Sequence, residues 1–140
     1  MIVADSSVAI AAVLANHPDH DAARLTVLAD RPRLVAHAAF EAYSVLTRMP
    51  LPHRLHPGDA RTVLDRAFPK DPVVLGARAL RALLGRLADA SISGGAVYDG
   101  LVAGTAEAHG AELVTLDRRA EPVYRTLGAN VRWLVDETEG

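Results

Sequence analysis

The sequence alternates short apolar runs with longer segments of helical periodicity, and this alternation constrains the fold more than any other feature. The short runs contain β-branched residues, which predicts strands at 1–4, 33–36, 112–116 and 131–135. Parallel strands need crossover connections, usually helices, which then cover both faces of the sheet. The pattern therefore predicts an α/β fold, a three-layer α/β/α domain with a mainly parallel central sheet of about five strands.

The segments between the runs have apolar residues at the spacing of amphipathic helices. The predicted helices cover residues 8–15, 19–29, 40–49, 59–68, 74–90, 96–109 and 120–127. The helix over residues 40–49 is predicted from Phe40, Tyr43, Leu46 and Met49. The helix over residues 74–90 is predicted from Leu80, Leu83, Leu84 and Leu87. The four leucines are expected in the core, although a groove for a partner protein would use the same spacing.

Composition limits the size of the domain and the chemistry of its sites. The chain has 140 residues, half of them apolar, so we expect one core and a single domain over residues 1–140. The net charge of −2 does not predict nucleic-acid binding, which would need a local basic surface. Because there is no cysteine, a metal would be bound by oxygen or imidazole. No signal peptide or membrane segment is recognisable, so we expect a cytoplasmic protein without membrane contact.

Four acidic residues stand where an α/β sheet presents its ligand-binding edge. Asp5 and Asp117 follow predicted strands, while Glu41 and Asp99 lie in early turns of predicted helices. Two carboxylates about 4 Å apart repel by roughly 4 kcal/mol at an effective dielectric of 20, so such a cluster needs a cation or a proton. Oxygen ligands favour Mg²⁺ or Mn²⁺, and the chemistry that fits is phosphodiester hydrolysis.

Each of the four acids also has an ordinary structural explanation. Asp5 can cap the following helix, and Asp99 can favour the N-terminal end of its helix dipole. Glu41 can be a surface glutamate of a helix, and Asp117 can form a turn. Spacing alone leaves the choice open.

The local contexts of the acids resemble the four blocks of VapC-type PIN domains, in order and rough spacing, over essentially the whole chain. The segments that carry the resemblance are residues 2–8, 40–50, 97–103 and 113–119. This resemblance implies a hydrolase, an endoribonuclease that uses Mg²⁺ or Mn²⁺. It also implies the toxin of a toxin-antitoxin pair, neutralised by a cognate VapB-type antitoxin and commonly a homodimer.

The same resemblance assigns expected roles to the acids. Asp5, Glu41, Asp99 and Asp117 match the acidic quartet of the family. Asp5 and Asp99 are expected to bind the metal directly, while Glu41 and Asp117 act through water or position the nucleophile.

Two hydroxyl residues are expected to support the acids, and two glycines depart from the family pattern. Ser7 matches a small hydroxyl residue of the first block, and Thr115 stands two residues before the last acid, where it can orient a carboxylate. A helix cap for Ser7 and strand propensity for Thr115 explain them equally simply. Gly100 and Gly104 stand where the family often has alanine. Each is expected to lower helix stability by about 1 kcal/mol relative to alanine, and close packing would explain their presence.

Arginines near the acids are candidates for contacts with RNA phosphates. Arg48, Arg118, Arg119 and Arg125 have the planar, forked guanidinium that suits phosphate. A solvated surface or a salt bridge to the antitoxin would use the same residues.

Three other functions fit the sequence less well. A haloacid dehalogenase-like phosphatase needs a second acid where Ser7 stands, and a response-regulator receiver domain needs an acidic pair and a late lysine, whereas Lys70 is the single lysine. A catalytically inactive PIN-like RNA-binding or scaffold protein would have lost one or more of the acids. Since all four are present, we expect an active enzyme.

Overall fold

The computed structural model describes residues 1–135 and has the predicted parallel sheet. The strands are β1 (Ile2–Ala4), β2 (Arg33–Leu34), β3 (Glu112–Thr115) and β4 (Asn130–Trp133), in the order β2-β1-β3-β4. All three strand pairs are parallel, as predicted. Of the predicted single domain, residues 136–140 lie outside the described part.

The expectation of about five strands is wrong for residues 1–135, where the sheet has four. The nearest approach to a fifth is Val73, which forms an isolated parallel bridge with Val35. Its N–H donates to the carbonyl of Leu34 at 2.8 Å, and its carbonyl accepts from the N–H of Ala36 at 2.9 Å. The chain enters α3 at Ala36, directly after Val35, so the pairing stops after one residue.

Helices connect the strands. They are α1 (Ser6–Val13), α2 (His20–Asp30), α3 (Ala36–Arg48), α4 (Pro57–Ala67), α5 (Ala77–Asp89), α6 (Ala96–Ala108) and α7 (Glu121–Thr126), with a 3₁₀ turn at Arg118–Ala120 before α7. Within residues 1–135, none of these helices has the length and apolar character needed to cross a bilayer.

The two faces of the sheet carry separate parts of the core. Alternate residues of a strand point to opposite faces. Val3 and Leu113 therefore pack with buried residues of α5, α6 and α7, whereas Ala4 and Val114 pack with buried residues of α1, α2 and α4. Helices thus cover both faces, which is the three-layer arrangement expected from the sequence.

Helix α3 begins earlier than predicted and buries a different face. It starts at Ala36, and its buried residues are Ala38, Ala42 and Leu46, which follow one another at four-residue steps. Phe40, by contrast, is 75% exposed and Tyr43 is 38% exposed. The small alanines allow α3 to pack closely, so the large aromatic residues that suggested the helix point outward.

Helices α5 and α6 pack closely because α6 has glycine at the contact. A Cβ on Gly100 would lie 2.5 Å from Cδ2 of Leu87, and one on Gly104 would lie 2.6 Å from Cδ1 of Leu83. These two leucines are buried, so the prediction of a core position is confirmed for them. It is wrong for the other two leucines of α5, since Leu80 is 41% and Leu84 is 64% exposed.

Candidate active site

Strands β1 and β3 bring two of the acids to one edge of the sheet. Asp5 directly follows β1, and Asp117 follows β3 after one intervening residue. The two strands are parallel neighbours, so their carboxyl ends lie side by side. The backbone N–H of Asp5 still donates to the carbonyl of Val114 at 3.5 Å, which ties the residue to the sheet.

Asp5 is buried, and four donors surround its carboxylate. Ser7 Oγ and the backbone N–H of Val8 donate to Oδ1, at 2.5 Å and 3.3 Å. Thr115 Oγ1 and the Tyr124 hydroxyl donate to Oδ2, at 2.5 Å and 2.8 Å. The bond from Val8 makes Asp5 the N-cap of α1, so the capping explanation holds. Capping alone does not account for the three hydroxyl donors, which fix the carboxylate in one orientation.

Burial raises the pKa of Asp5 above its ordinary value, because a carboxylate loses solvation inside the protein. The hydrogen bonds from Ser7, Thr115 and Tyr124 act in the opposite direction, since they favour the ionised form. The pKa of Tyr124 is also raised, by burial and by the nearby negative charge of Asp5. The phenol therefore remains protonated and can only donate to this carboxylate.

The hydroxyl residues also connect Asp5 to the turn that carries Asp117. The backbone N–H of Leu116 donates to Ser7 Oγ at 2.9 Å, and that of Asp117 donates to Thr115 Oγ1 at 3.0 Å. Each hydroxyl thus donates to the Asp5 carboxylate while it accepts from the backbone beyond β3. The positions of Asp5 and Asp117 are coupled through these two side chains.

Arg119 joins Asp99 to Asp117. Asp99 lies in the first turn of α6, and its two oxygens accept from the guanidinium of Arg119 at 3.0 Å and 3.2 Å. The same guanidinium donates to Oδ2 of Asp117 at 3.1 Å, and the backbone N–H of Arg119 donates to Oδ1 of Asp117 at 3.1 Å. Two of the predicted acids therefore share one cationic side chain.

Glu41 lies within electrostatic reach of the other three acids. Its pKa is raised chiefly by partial burial and then by the negative charges of Asp99, Asp5 and Asp117, whereas Arg119 lowers it. The carboxylate of Glu41 on α3 thus interacts with the charges of acids that follow two strands and of one acid on α6. The structure brings all four predicted acids to the same edge.

His37 and Tyr98 lie beside the acids and were not predicted from the sequence. Their rings stack with centroids 5.0 Å apart and planes 7° from parallel, and Nε2 of His37 lies 3.3 Å from Oε1 of Glu41. Burial lowers the pKa of His37, while the charge of Asp99 opposes this shift. The spacing of four residues between His37 and Glu41 on one helix, and the adjacency of Tyr98 to Asp99, are the signals that could have indicated them.

Tyr124 was also missed, and its local sequence gives no indication of its role. The periodicity predicts only a helix over residues 120–127. The contact between Tyr124 and Asp5 arises because α7 packs beneath the edge of the sheet where β1 ends.

The four arginines predicted to contact phosphate have different surroundings. Arg125 is 77% exposed and pairs with Glu121 on α7. Arg119 contacts Asp99 and Asp117 as described above. Arg118 lies over the ring of Trp133, with its guanidinium carbon 3.9 Å from the ring centroid, and donates to the carbonyl of Val135 at 2.8 Å. Arg48 is exposed in the last turn of α3. A contact of these arginines with RNA remains a prediction.

The donors present suit a hard divalent cation in their chemistry. All four acids offer carboxylate oxygens, the ligands that Mg²⁺ and Mn²⁺ prefer. Asp99 and Asp117 already accept a cationic group together, because Arg119 bridges them. Across residues 1–135, however, no three or more His, Asp or Glu side chains are positioned as a group that could hold a metal ion.

The PIN domain family matches residues 2–125 of this chain. The chain belongs to the PIN-domain family. The matched segment contains all four acids, both of the supporting hydroxyl residues and the first three strands of the sheet.

Relatives in Mycobacterium tuberculosis confirm the resemblance to VapC-type PIN domains. Ribonuclease VapC40, from strains CDC 1551 / Oshkosh and ATCC 25618 / H37Rv, is 42% identical over 131 residues, which cover 94% of this chain and 97% of the relative. Ribonuclease VapC27, from strain ATCC 25618 / H37Rv, is 42% identical over 130 residues, covering 93% of this chain and 94% of the relative.

A solved structure described as "Structure of FitAB bound to IR36 DNA fragment" has the same fold. The match has a TM-score of 0.65 and covers 96% of this chain and 95% of that chain. At 14% identity, this likeness supports the architecture alone.

Proposed function

We propose that this chain is a metal-dependent endoribonuclease and the toxin of a toxin-antitoxin pair. The observation that carries the proposal is the convergence of four carboxylates at one edge of the sheet. Asp5 and Asp117 follow neighbouring parallel strands, and Arg119 joins Asp99 to Asp117. The pKa of Glu41 is raised by burial and by the charges of these three acids. Relatives of nearly the same length that are named ribonucleases support the choice of RNA as substrate.

In this proposal, Asp5 and Asp99 bind Mg²⁺ or Mn²⁺ directly. When bound, the metal polarises the scissile phosphodiester and stabilises the negative charge of the leaving oxygen. The donors from Ser7, Thr115 and Tyr124 hold the Asp5 carboxylate in a fixed orientation, which reduces the reorganisation that metal binding requires.

Glu41 is proposed to accept a proton from the attacking water. A general base works best when its pKa lies near the working pH, and the pKa of Glu41 is raised by burial and by the neighbouring acids. Asp117 is proposed to position that water, because its own orientation is fixed by the backbone of Arg119.

The proposed partners are a VapB-type antitoxin and a second copy of this chain in a homodimer. We propose that the antitoxin covers the acidic edge of the sheet. Asp99 and Asp117 accept a guanidinium in the geometry of a forked, two-oxygen contact. An arginine supplied by the antitoxin could use the same carboxylates. A complex that leaves this edge open would contradict the antitoxin part of the proposal.

The test is cleavage of total bacterial RNA by the purified protein with Mg²⁺ or Mn²⁺. Discrete cuts are expected from the wild type and not in EDTA or from Asp5→Asn, whereas Asp89→Asn, an exposed acid at the end of α5, should cut like the wild type. No cutting by a folded protein that binds Mn²⁺ would instead favour an inactive PIN-like RNA-binding or scaffold protein.

A further inference from the structure

Arg119 has an unusual combination of exposure and contacts. Its side chain is 69% exposed, whereas the side chains of its partners Asp99 and Asp117 are 14% and 29% exposed. The guanidinium therefore covers the two carboxylates from the solvent side. A cation coming from solvent would reach these oxygens from the same side as Arg119.

The guanidinium uses the oxygens that a metal would need. Both oxygens of Asp99 and Oδ2 of Asp117 accept hydrogen bonds from it at 3.0 to 3.2 Å. A Mg²⁺ ion binds carboxylate oxygens at about 2.1 Å and would also repel the positive charge of Arg119. Arg119 and a divalent cation would therefore compete for the oxygens of Asp99.

The side chain can leave without disturbing the turn that carries it. The backbone N–H of Arg119 donates to Oδ1 of Asp117, independently of the guanidinium. Asp117 is held further by Thr115, whose Oγ1 accepts from its backbone N–H. Because the guanidinium is mostly exposed, its ion pairs are screened by water and are weak enough to be replaced.

We propose that Arg119 is a displaceable counter-ion, which neutralises Asp99 and Asp117 until a divalent cation takes its place at the same oxygens. The proposal rests on the metal-dependent function proposed above and adds a control on that site. Arg119 keeps the acidic cluster stable and at the same time weakens its affinity for metal, so the metal concentration sets the fraction of protein with an open site.

Mn²⁺ binding to the full 140-residue chain, measured by isothermal titration calorimetry, tests this competition. The variant Arg119→Gln removes the charge, and it is expected to bind Mn²⁺ about tenfold more tightly, which corresponds to about 1.4 kcal/mol. Arg119→Lys keeps the positive charge but lacks the planar guanidinium, and it should give an intermediate affinity for Mn²⁺. The control is Arg125→Gln, because Arg125 is 77% exposed and pairs with Glu121 on α7; it should bind like the wild type.

A second measurement uses thermal melting, which does not depend on activity. In EDTA, Arg119→Gln should melt at a lower temperature than the wild type, because the acids have lost their counter-ion. Saturating Mn²⁺ should remove this difference. Circular dichroism at about room temperature would establish that each variant is folded.

The outcomes separate this proposal from the function on which it rests. If Asp99→Asn abolishes Mn²⁺ binding and Arg119→Gln tightens it, both stand. If Asp99→Asn abolishes binding but Arg119→Gln leaves it unchanged or weaker, the metal site stands and the counter-ion proposal is overturned. If neither the wild type nor Arg119→Gln binds Mn²⁺, or Asp99→Asn binds it normally, the proposed metal site itself is wrong.

Discussion

The hydroxyl of Tyr124 donates to Oδ2 of Asp5 at 2.8 Å, although the two residues are 119 positions apart in the chain. Tyr124 is 2% exposed and Asp5 is 3% exposed, so water cannot replace this bond. The last described helix thus holds the acid that follows the first strand. A site built in this way should be sensitive to changes far from the acids in sequence.

Tyr124→Phe removes this donor and keeps the ring. A hydrogen bond to a charged group contributes about 1.5 to 3 kcal/mol, so the free energy of unfolding should fall by about 2 kcal/mol at pH 7. Urea denaturation measures it. Tyr43→Phe, at an exposed position of α3, is the control and should leave the midpoint unchanged. Equal midpoints for Tyr124→Phe and the wild type would show that the bond is not stabilising.

Asp5 and Glu41 should make the protein less stable as the pH rises above about 4, whereas His37, whose pKa is lowered, opposes this trend near its ordinary value of 6.5. Asp5 and Glu41 have raised pKa values, so between the unfolded and folded values the native state holds more protons than the unfolded state. Their stabilising effect is full below the unfolded values of 3.8 and 4.5 and is lost as the folded groups ionise. Glu41→Gln should reduce this slope, whereas Asp89→Asn should not. Urea midpoints across the pH range give the slope.

Thr115→Val should lower ribonuclease activity by about 10- to 100-fold, the usual effect of losing a group that orients a metal ligand. The methyl replaces a hydroxyl that donates to Asp5 and accepts from the backbone of Asp117. Thr115→Ser restores the hydroxyl and should recover most of the activity. Thr62→Val, which removes an exposed hydroxyl bonded within α4, is the control. Full activity in Thr115→Val would remove Thr115 from the proposed site.

Arg119→Gln should weaken the interaction with RNA even though it strengthens metal binding. We expect the guanidinium, once a cation has replaced it, to contact a phosphate of the RNA. We expect a higher KM and a salt dependence whose logarithmic slope is smaller by about one. Steady-state cleavage at several salt concentrations measures both quantities, with Arg61→Gln, at an exposed position of α4, as control. An unchanged slope would mean that Arg119 does not contact a phosphate.

Gly104→Ala should destabilise the protein by about 1 to 2 kcal/mol, because the added methyl overlaps the buried side chain of Leu83. Gly85→Ala adds the same methyl on α5, where nothing lies within 4 Å, and should stabilise by up to about 1 kcal/mol. Thermal or urea unfolding of the pair separates packing from helix propensity. Similar effects of the two substitutions would exclude a packing role for Gly104.

Local patterns predicted the parts of the fold that depend on neighbouring residues. The strand runs around Val3, Leu113 and Val131 are apolar in the sequence itself, and the acids that follow them could be located from the runs. The missing fifth strand and the outward face of α3 were not predictable in this way. The pairing of Val73 and the orientation of Phe40 both depend on contacts with residues that are distant in the sequence.

The contacts that define the site are mostly long-range, which explains what sequence reasoning missed. The bonds from Tyr124 to Asp5 and from Arg119 to Asp99 join separate elements, and no local spacing encodes them. Ser7 and Thr115 were found because each lies two residues from an acid. The role of the quartet in catalysis and metal binding remains a prediction from family resemblance and geometry.

The strand order β2-β1-β3-β4 also determines where a crevice can form. After β1 the chain enters α1 on one face of the sheet, whereas after β3 it enters α7 on the other face. The two connections diverge, and Asp5 and Asp117 lie where they begin. Such a topological switch point is a binding cleft in open α/β sheets whatever its chemistry. A relative that had lost its acids would therefore still have a cleft at this position.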